Sequence, residues 1–323
     1  MENSSQSTVF EWLNSESSMS FSAGEQRFSR HVETEFPSSH YRYRILFSDS
    51  QHLSNVQSWL LSNTAELSLA LISRATGLDC IEVCAIEPLV FDALVSLPQL
   101  EVFEIKADAP VLNQPGLLVM DMDSTAIEIE CIDELAEMAG VGAAVAAVTE
   151  QAMQGELDFE ESLRARVAKL TNADALIIDR LCAQLPLMPG LTEMITELKQ
   201  YHWRTVVASG GFTPFVNHLQ QLLDLDAAFA NELDIIDGKL SGTVSGQVVD
   251  AQFKADTVVN CSQKWGIGSG QRVAIGDGAN DIPMINIADF GIAYHAKPKL
   301  AAAADANIAK LNLKALPYLF QLK

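Results

Sequence analysis

Residues 117–134 read LLVMDMDSTAIEIECIDE, and this stretch decides the fold. The first four residues are apolar, which is typical of a strand that is buried on both faces in a parallel sheet. Carboxylates follow at once at Asp121 and Asp123, and again at Glu128 and Glu130. Because open α/β sheets bind ligands beyond the carboxyl ends of their strands, the sequence predicts an acidic site at the mouth of such a sheet.

The composition is that of a globular protein with an excess of acidic groups. The 323 residues, 48% of them hydrophobic, can form a sizeable core and suggest about two domains. Asp and Glu total 42 against 21 Lys and Arg, so the formal net charge is -21. This charge repels nucleic-acid backbones and anionic membranes, and the sequence therefore predicts neither as a partner.

Export and disulfide bonding are not indicated by the sequence. The N-terminal residues lack the basic start and apolar core of a signal sequence, and no apolar run is long enough to span a membrane. The cysteines show no CxxC pair and no zinc-type spacing; they are Cys80, Cys84, Cys131, Cys182 and Cys261. These features favour reduced thiols in a cytoplasmic protein.

Residues 1–40 form a Ser-rich and acidic segment. Its composition is typical of a weakly ordered N-terminus. Phe10, Trp12 and Leu13 are apolar, however, and offer a way for the segment to dock on the rest of the protein. Disorder and docking therefore both stay open for this segment.

Residues 41–110 are predicted to form a small α/β domain. Alternating apolar positions indicate strands at 41–47, 80–86 and 101–107, whereas residues 54–75 have helical spacing. A second, shorter helix-like run precedes the last of these strands. The sequence thus predicts three strands, one long helix and one short helix in this domain.

The α/β pattern of residues 111–323 is interrupted by a helical insert. Between about 132 and 188 nearly every segment has the spacing of an amphipathic helix, and two prolines end the run. An all-helical insert between two strands suggests a cap over the mouth of the sheet. Further on, Asp237 and Gly238 lie between two short extended runs, which is typical of a two-residue hairpin turn.

Polar groups recur at the later strand ends of this region. They are Ser209 with Gly210 and Gly211, Lys254 at the start of a helical run, and Asp277 with Asn280 and Asp281. Together with Asp121 and Asp123 they suit Mg²⁺, which prefers hard oxygen ligands and keeps several waters. A phosphorylated substrate explains the metal, because Mg²⁺ neutralises phosphate oxygens in an otherwise acidic site.

Four motifs resemble, in type and order, those of the haloacid-dehalogenase-like phosphatases: DMDST at 121–125, VVASGG at 206–211, Lys254, and GDGAND at 276–281. The resemblance covers roughly residues 115–320 and implies an α/β fold with a Rossmann-like parallel-sheet core and a helical cap. FEESLRARV at 159–167 is similar, more closely, to the branch of this family that acts on O-phospho-L-serine. The resemblance thus implies Mg²⁺-dependent hydrolysis of that substrate to L-serine and phosphate, the last step of serine biosynthesis.

The resemblance also implies roles for the residues around the phosphoryl group. Asp121 is expected to attack phosphorus and form an aspartyl-phosphate, and Asp123 to act as general acid and later as general base. The implied metal ligands are Asp121, the backbone carbonyl of Asp123 and Asp277, with Asp281 orienting them from behind. The residues implied to bind the phosphoryl group are Ser209, Gly210, Lys254 and Asn280.

Substrate choice is assigned to the cap. By resemblance, Glu130 would meet the substrate ammonium and Arg166 its carboxylate, a task that suits the two-pronged guanidinium better than a lysine. Met153 and Phe159 would line the closing cap, although core packing is as reasonable an interpretation of their spacing. The alternatives left open are Glu128 or Glu134 in place of Glu130, and Arg164 in place of Arg166.

The N-terminal α/β unit resembles in outline the ACT domain, a small amino-acid-binding module with βαββαβ order. Only three strands are evident, so a degenerate version that senses nothing is as well supported as an effector site. The oligomeric state, a homodimer included, stays open.

Other functions compete with this interpretation. A related capped phosphatase or phosphotransferase could act on another small phosphomonoester, because the acceptor depends on water access in a closed cap. A phosphoacceptor receiver domain also binds Mg²⁺ beside the aspartate that is phosphorylated. Such a domain has no acidic residue two positions after that aspartate and no helical cap, so Asp123 argues against this interpretation. A serine-sensing protein with a decayed site is disfavoured by the intact motifs, and the prediction rests on the site and not on the fold alone.

Overall fold

The protein is described by a computed structural model that covers residues 8–15, 19–23, 26–34 and 40–323. These residues form a six-stranded sheet in the N-terminal region and a seven-stranded sheet in the remainder. Among them, no helix is long and apolar enough to cross a membrane. The α/β fold class with a parallel-sheet core is confirmed.

The N-terminal region consists of α1 (Val9–Asn14), β1 (Ser20–Ala23), β2 (Gln26–Arg30), β3 (Tyr41–Phe47), α2 (His52–Ser62), β4 (Leu67–Leu71), β5 (Asp79–Ala85), α3 (Asp92–Val95) and β6 (Leu100–Glu104). The sheet order is β1-β2-β4-β5-β3-β6. From β3 to β6 the elements follow the order βαββαβ, with four strands where the sequence analysis counted three. The likeness to an ACT domain stays a prediction.

The predicted long helix at 54–75 is wrong in its second half. The helix ends at Ser62, and Leu67–Leu71 pairs antiparallel with β5. Leu67 and Leu69 are buried while Ser68 between them is only half-buried, which is the alternation of a strand. Over only five residues, a leucine-rich stretch fits the helical repeat of about 3.6 residues as well as the two-residue repeat of a strand. The pairing with β5 shows that this stretch is a strand.

The first 40 residues are docked wherever the structure describes them. Val9, Trp12 and Leu13 are buried on the N-terminal sheet, and β2 runs parallel to β4 and extends that sheet. A capping box at Thr8 and Glu11 starts α1. Of the two possibilities left open by the sequence, docking applies to these residues. The prediction for 1–7, 16–18, 24–25 and 35–39 lies outside the described part of the chain.

The larger region contains β7 (Leu117–Met120), α4 (Cys131–Met138), α5 (Gly142–Met153), α6 (Phe159–Lys169), α7 (Leu176–Cys182), α8 (Leu191–Gln200), β8 (Arg204–Phe212), α9 (Thr213–Leu223), β9 (Ala227–Ile236), β10 (Lys239–Ser245), α10 (Ala251–Trp265), β11 (Arg272–Gly276), α11 (Ile282–Ile287), β12 (Phe290–Tyr294), α12 (Pro298–Ala301) and β13 (Ala306–Ile308), with 3-10 turns at Ala279–Asp281 and Leu313–Leu319. The sheet order is β10-β9-β8-β7-β11-β12-β13, and every pair except β9 with β10 is parallel. The strand β7, buried at every residue, lies at the centre of this sheet.

The helical insert and the hairpin occur as the sequence predicts. Helices α4 to α7 occupy the insert between β7 and α8. The turn between β9 and β10 is made by Asp237 and Gly238, both at positive φ (50° and 74°), as a two-residue turn of type I′ requires.

The two regions are joined by buried polar contacts. Arg44 on β3 is fully buried and donates hydrogen bonds of 2.6 Å each to the backbone carbonyls of Tyr318 and Phe320. Glu101 on β6 accepts hydrogen bonds from the backbone N–H groups of Ala309, Lys310 and Leu311. The N-terminal sheet therefore packs on the last segment of the larger region.

Candidate active site

The carboxyl ends of β7, β8 and β11 surround a cavity of about 240 Å³ that the cap covers. Parallel strands end at the same edge of a sheet, and this brings segments far apart in sequence to one place. Nine of the predicted site residues line the cavity: Asp121, Asp123, Glu130, Phe159, Arg166, Gly210, Lys254, Asp277 and Asn280. Polar residues at the strand ends and residues of the cap therefore line the same cavity.

Lys254, buried in the first turn region of α10, bridges two of the aspartates. Its Nζ lies 2.7 Å from Asp121 Oδ1 and 2.8 Å from Asp281 Oδ1. Burial alone would lower the pKa of Lys254, but the charges of these two carboxylates raise it above its usual range. The ammonium group therefore stays charged at the floor of the cavity.

Asp281 is fully buried, and both of its oxygens are engaged. Oδ1 accepts from Lys254, and Oδ2 accepts from the backbone N–H groups of Asp277 and Gly278 at 3.2 Å each. This arrangement fixes the turn that follows β11. Asp281 therefore positions the loop that carries Asp277.

Three aspartates are close enough to share a cation. Single oxygens of Asp121, Asp277 and Asp281 lie within 4.8 Å of one another. Burial first, and then the charge of Asp281, raises the pKa of Asp121 well above its usual range and that of Asp277 to about 6. Lys254 contacts two of these carboxylates and Lys297 acts on Asp277 without forming an ion pair, so two lysines face three carboxylates, and the donor set fits a divalent ion such as Mg²⁺. The predicted set had Asp123 in place of Asp281, through its backbone carbonyl.

The Asp123 side chain is held apart from this trio. Its Oδ1 accepts a hydrogen bond of 3.1 Å from the backbone N–H of Cys131, the first residue of α4. Burial, and next the charge of Glu130, raises the pKa of Asp123 to about 7. A carboxyl group with such a pKa can both give and take a proton near neutral pH.

The cap contributes one acid and one base to the cavity. Glu130 is exposed at the start of α4 and accepts a 3.0 Å hydrogen bond from the Ser124 hydroxyl. Arg166 lines the cavity from α6, and burial lowers its pKa. Arg164 points away and pairs with Glu160 at the surface, 2.7 Å apart. Of the two arginines, Arg166 is therefore the one placed to meet a ligand, and of the candidate glutamates only Glu130 lines the cavity.

Two predicted ligand-binding residues do not line the cavity. Met153 at the end of α5 is 78% exposed and borders a shallow depression with Glu137 and Thr149 on the outer side of the cap. Its spacing on the helix gave no sign of the direction in which α5 faces. Ser209 is fully buried, and its hydroxyl accepts from the Gly211 N–H at 2.8 Å. Ser209 thus shapes the loop behind the cavity wall.

Close packing explains the glycines in this loop. A Cβ at Gly210 would lie 2.9 Å from the ring of Phe159, and one at Gly211 would lie 3.0 Å from Asp123 Oδ2. A Cβ at Gly210 would therefore displace the Phe159 ring, and one at Gly211 would displace the side chains of Met122 and Asp123. The Gly211 N–H is already donated to the Ser209 hydroxyl, so Gly210 is the residue of this loop that lies beside the cavity with its N–H not assigned to that bond.

Sequence reasoning missed several lining residues, of which Lys297 has the clearest chemistry. Lys297 lines the cavity, and its backbone N–H donates a 2.9 Å hydrogen bond to the Asp277 carbonyl. It follows the carboxyl end of β12, and this position could have identified it. Ile132, Leu163 and Phe212 add apolar walls to which the sequence analysis assigned no role.

Comparison with known proteins gives consistent results. Residues 116–289 match the family model of the haloacid dehalogenase-like hydrolases. The phosphoserine phosphatase of Haemophilus influenzae is 55% identical over 208 residues, which are 64% of this chain and 66% of that protein. The match thus spans just under two thirds of this relative.

Solved structures extend the likeness beyond the matched segment. A probable phosphoserine phosphatase from Vibrio cholerae, in unliganded form, is 39% identical with a TM-score of 0.74 over 88% of both chains. A substrate-bound phosphoserine phosphatase complex is 39% identical with a TM-score of 0.60, over 65% of this chain and 99% of that one. The first of these covers most of the N-terminal region as well.

Proposed function

We propose that this chain, which belongs to the haloacid dehalogenase-like hydrolase family, is a phosphoserine phosphatase that hydrolyses O-phospho-L-serine to L-serine and phosphate. The observation that carries the proposal is the meeting of two groups in one cavity. Asp121, Lys254 and Asp277 form its floor, and Glu130 and Arg166 reach it from the cap. The floor suits a phosphate with a metal ion, and the cap pair suits an amino-acid head.

Asp121 is the proposed nucleophile. Its carboxylate would attack phosphorus, so that an O–P bond forms to Asp121 while the bond from phosphorus to the serine oxygen breaks. Lys254, 2.7 Å from Asp121 Oδ1, would hold that oxygen and the charge of the phosphoryl group in the same place. The product of this step is an aspartyl-phosphate and a serine oxygen that needs a proton.

Asp123 is the proposed proton donor and acceptor. With a pKa raised to about 7, it can give its proton to the departing serine oxygen. Water then attacks the phosphorus of the aspartyl-phosphate, Asp123 takes a proton from that water, and Asp121 leaves as a free carboxylate. Both residues return to their starting states, and one water is consumed for each phosphate released.

Mg²⁺ is the proposed metal. Asp121 and Asp277 would hold it, with the backbone carbonyl of Asp123 as a third ligand and Asp281 positioning the loop behind. When bound, it supplies positive charge that neutralises the phosphoryl oxygens and the surrounding carboxylates. Burial first, and then the charge of Asp281, raises the pKa of Asp121 and Asp277, and a bound cation would restore the charged form of both carboxylates.

The remaining contacts would hold the substrate in place. Gly210 would offer its backbone N–H at the end of β8, and Asn280 would add an amide beside the phosphoryl site. Phe159 covers Gly210 and would limit the entry of water when the cap closes. Ser209 would act by shaping this loop, although its hydroxyl is bonded within the loop in this structure.

Glu130 and Arg166 are the proposed specificity determinants. An amino-acid head carries an ammonium and a carboxylate, and one acid and one arginine match both. A sugar phosphate carries neither group. We also expect the reaction to occur in the cytoplasm, since all five cysteines are free thiols.

The test is phosphate release by the purified protein from O-phospho-L-serine, phosphoethanolamine and a sugar phosphate, each with Mg²⁺ and with EDTA. Phosphoethanolamine has the ammonium but no carboxylate, so it isolates the contribution of Arg166. We expect metal-dependent release that strongly favours O-phospho-L-serine. Equal phosphate release from all three substrates would support a phosphatase but contradict the assignment of O-phospho-L-serine as its substrate. Transfer of the phosphoryl group to an added small alcohol, in place of phosphate release, would indicate a phosphotransferase.

A further inference from the structure

Ser124, in the loop after β7, has a backbone conformation that few serines adopt. Its φ is 57°, in the left-handed region, where a side chain is disfavoured and glycine is the usual residue. A glycine would take this conformation without strain, but it has no hydroxyl to offer. Strain of this kind at the edge of a cavity indicates a role for the side chain.

The Ser124 hydroxyl holds the carboxylate of Glu130. It donates a hydrogen bond of 3.0 Å to Glu130 Oε1, and among the described residues this is the single hydrogen bond of that carboxylate. Glu130 is the N-cap residue of α4, yet its side chain makes no capping hydrogen bond. Because Glu130 is exposed and its side chain is long, it would sample several rotamers without Ser124.

Arg166 lines the same cavity but forms no ion pair with Glu130. Among the described residues, the guanidinium donates from Nε to the backbone carbonyl of Ser162 at 3.4 Å and to no carboxylate. Opposite charges in one cavity attract each other, and a direct pair would occupy both groups that an amino-acid head needs. The Glu130 carboxylate is thus bonded to Ser124 and not to Arg166.

We propose that Ser124 is a positioning residue that holds Glu130 Oε1, so that Oε2 is left for the substrate ammonium and Glu130 does not pair with Arg166. This inference rests on the proposed phosphatase activity and deepens it. The acid and the arginine stay apart in the empty cavity, and one zwitterionic ligand can meet both. Such preorganisation lowers the cost of binding the substrate head.

Substrates that differ in their ammonium group isolate this role. O-phospho-L-serine and phosphoethanolamine carry an ammonium, whereas glycerol phosphate carries none. All three have an alkoxide leaving group, so a displaced Asp123 or a packing defect of the loop should slow all three reactions. A displaced Glu130 should slow only the first two.

The experiment measures kcat/KM for these substrates, with Mg²⁺, in unaltered protein, Ser124→Ala and Ser124→Gly. Ala removes the hydroxyl and keeps the Cβ, while Gly also removes the strain of the positive φ. We expect both variants to lose about fivefold with the two ammonium substrates, as for one hydrogen bond, and to stay within about twofold with glycerol phosphate. A loss in Ser124→Ala that Ser124→Gly does not share would assign the effect to the backbone and overturn the proposal.

A double-mutant cycle shows whether Ser124 acts through Glu130. In the background of Glu130→Ala the acceptor is gone, so Ser124→Ala should change kcat/KM for O-phospho-L-serine by less than about twofold. Ser241→Ala is the matched control, since this half-buried serine of β10 bonds to Thr243 and does not line the cavity. A further fivefold loss in the double variant would overturn the proposal.

A crystal structure of Ser124→Ala tests the inference without using activity. The Glu130 carboxylate should leave its present position and lie closer to the Arg166 guanidinium. An unmoved carboxylate would overturn the proposal. If the unaltered protein releases no phosphate from any of the substrates, or favours glycerol phosphate, the proposed function fails, and the crystal structure still decides the role of Ser124.

Discussion

Two groups of side chains in the described part of the chain are close enough to hold a metal ion: His31, Glu82 and Cys84 in the N-terminal sheet, and Asp121, Asp277 and Asp281 at the cavity. By distance alone, the two groups are equivalent candidates. Their surroundings differ in charge, and the charge determines what each group can do.

The N-terminal group is neutralised by the protein itself. Glu82 Oε2 lies 2.7 Å from Nε of Arg42 and 2.8 Å from Nε of Arg44, and Oε1 lies 2.9 Å from Nε2 of His31. Burial would raise the pKa of Glu82, but His31 and the two arginines lower it to about 2. A cation added here would meet two guanidinium groups, so this group is structural.

The cavity group is left with excess negative charge. Among the described residues, Lys254 is the cation in ion-pair contact with Asp121 and Asp281, and burial, followed by the charge of Asp281, raises the pKa of Asp277 to about 6 even with Lys297 nearby. We propose that a cation from solution completes this site and in turn admits a phosphate. The comparison teaches that balanced charge marks a structural cluster, whereas unbalanced charge marks a functional one.

The largest expected effect is on the nucleophile of the cavity group. Asp121→Asn keeps the shape of the side chain but makes it a poor nucleophile, so kcat with O-phospho-L-serine should fall by at least about 10⁴-fold. Circular dichroism should show an unchanged fold. Phosphate release at the rate of the unaltered protein would remove Asp121 from the mechanism.

The next effect is on the stability of the N-terminal group. Glu82→Gln removes the shared partner of two buried guanidinium groups and should lower the free energy of unfolding by about 3–5 kcal/mol. Urea unfolding measures this free energy. The control is Glu104→Gln, because Glu104 is an exposed glutamate on the same sheet. The kcat of Glu82→Gln, taken where the protein is folded, should match that of unaltered protein. A loss of activity with no loss of stability would reverse the assignment of the two groups.

A third prediction separates the two arginines of the cap. Arg166→Ala should lower kcat/KM for O-phospho-L-serine about 100-fold, because a charged hydrogen bond is lost, but change that for p-nitrophenyl phosphate only slightly. Arg164→Ala is the control, since its partner Glu160 is at the surface and their pairing contributes little. Equal losses with both substrates would show that Arg166 supports the cap and does not read the carboxylate.

The smallest expected effect is on the free energy of unfolding at acidic pH. The folded pKa of Glu82 is about 2 and its ordinary value is 4.5, so its contribution is present above pH 4.5 and is lost as the pH falls toward 2. The stability difference between unaltered protein and Glu82→Gln should therefore shrink by about 2 kcal/mol between about pH 5 and about pH 3. Urea unfolding at both pH values provides the measurement. A difference that is constant with pH would mean that Glu82 is not stabilised by its charge.

The sequence predicts the cavity group better than the N-terminal group. Asp121 and Asp277 follow apolar strands within short motifs, so their chemistry and their neighbours in the sheet can be inferred together. Arg44 and Glu82 are 38 residues apart, and only the antiparallel register of β3 with β5 places them opposite each other. In the sequence, Arg44 and Glu82 are charged residues within alternating strands, and nothing in that pattern indicates that they pair with each other.

Features that depend on orientation were not predictable. Met153 has the spacing of a buried residue but lies on the outer side of the cap, and only the packing of α5 shows it. Lys297 and Cys131 reach the site because the loop after β12 and the start of α4 meet it in space. The strand β4 was hidden because a short leucine-rich run fits a helix as well as a strand.

The central claim is that the cavity group is a metal site and the N-terminal group is not, and a calorimetric titration with Mg²⁺ tests it most directly. Unaltered protein and Glu82→Gln should each bind a single Mg²⁺ with similar affinity, while Asp277→Asn should lose most of that affinity. Binding that survives in Asp277→Asn and disappears in Glu82→Gln, or no binding to the unaltered protein, would contradict the account.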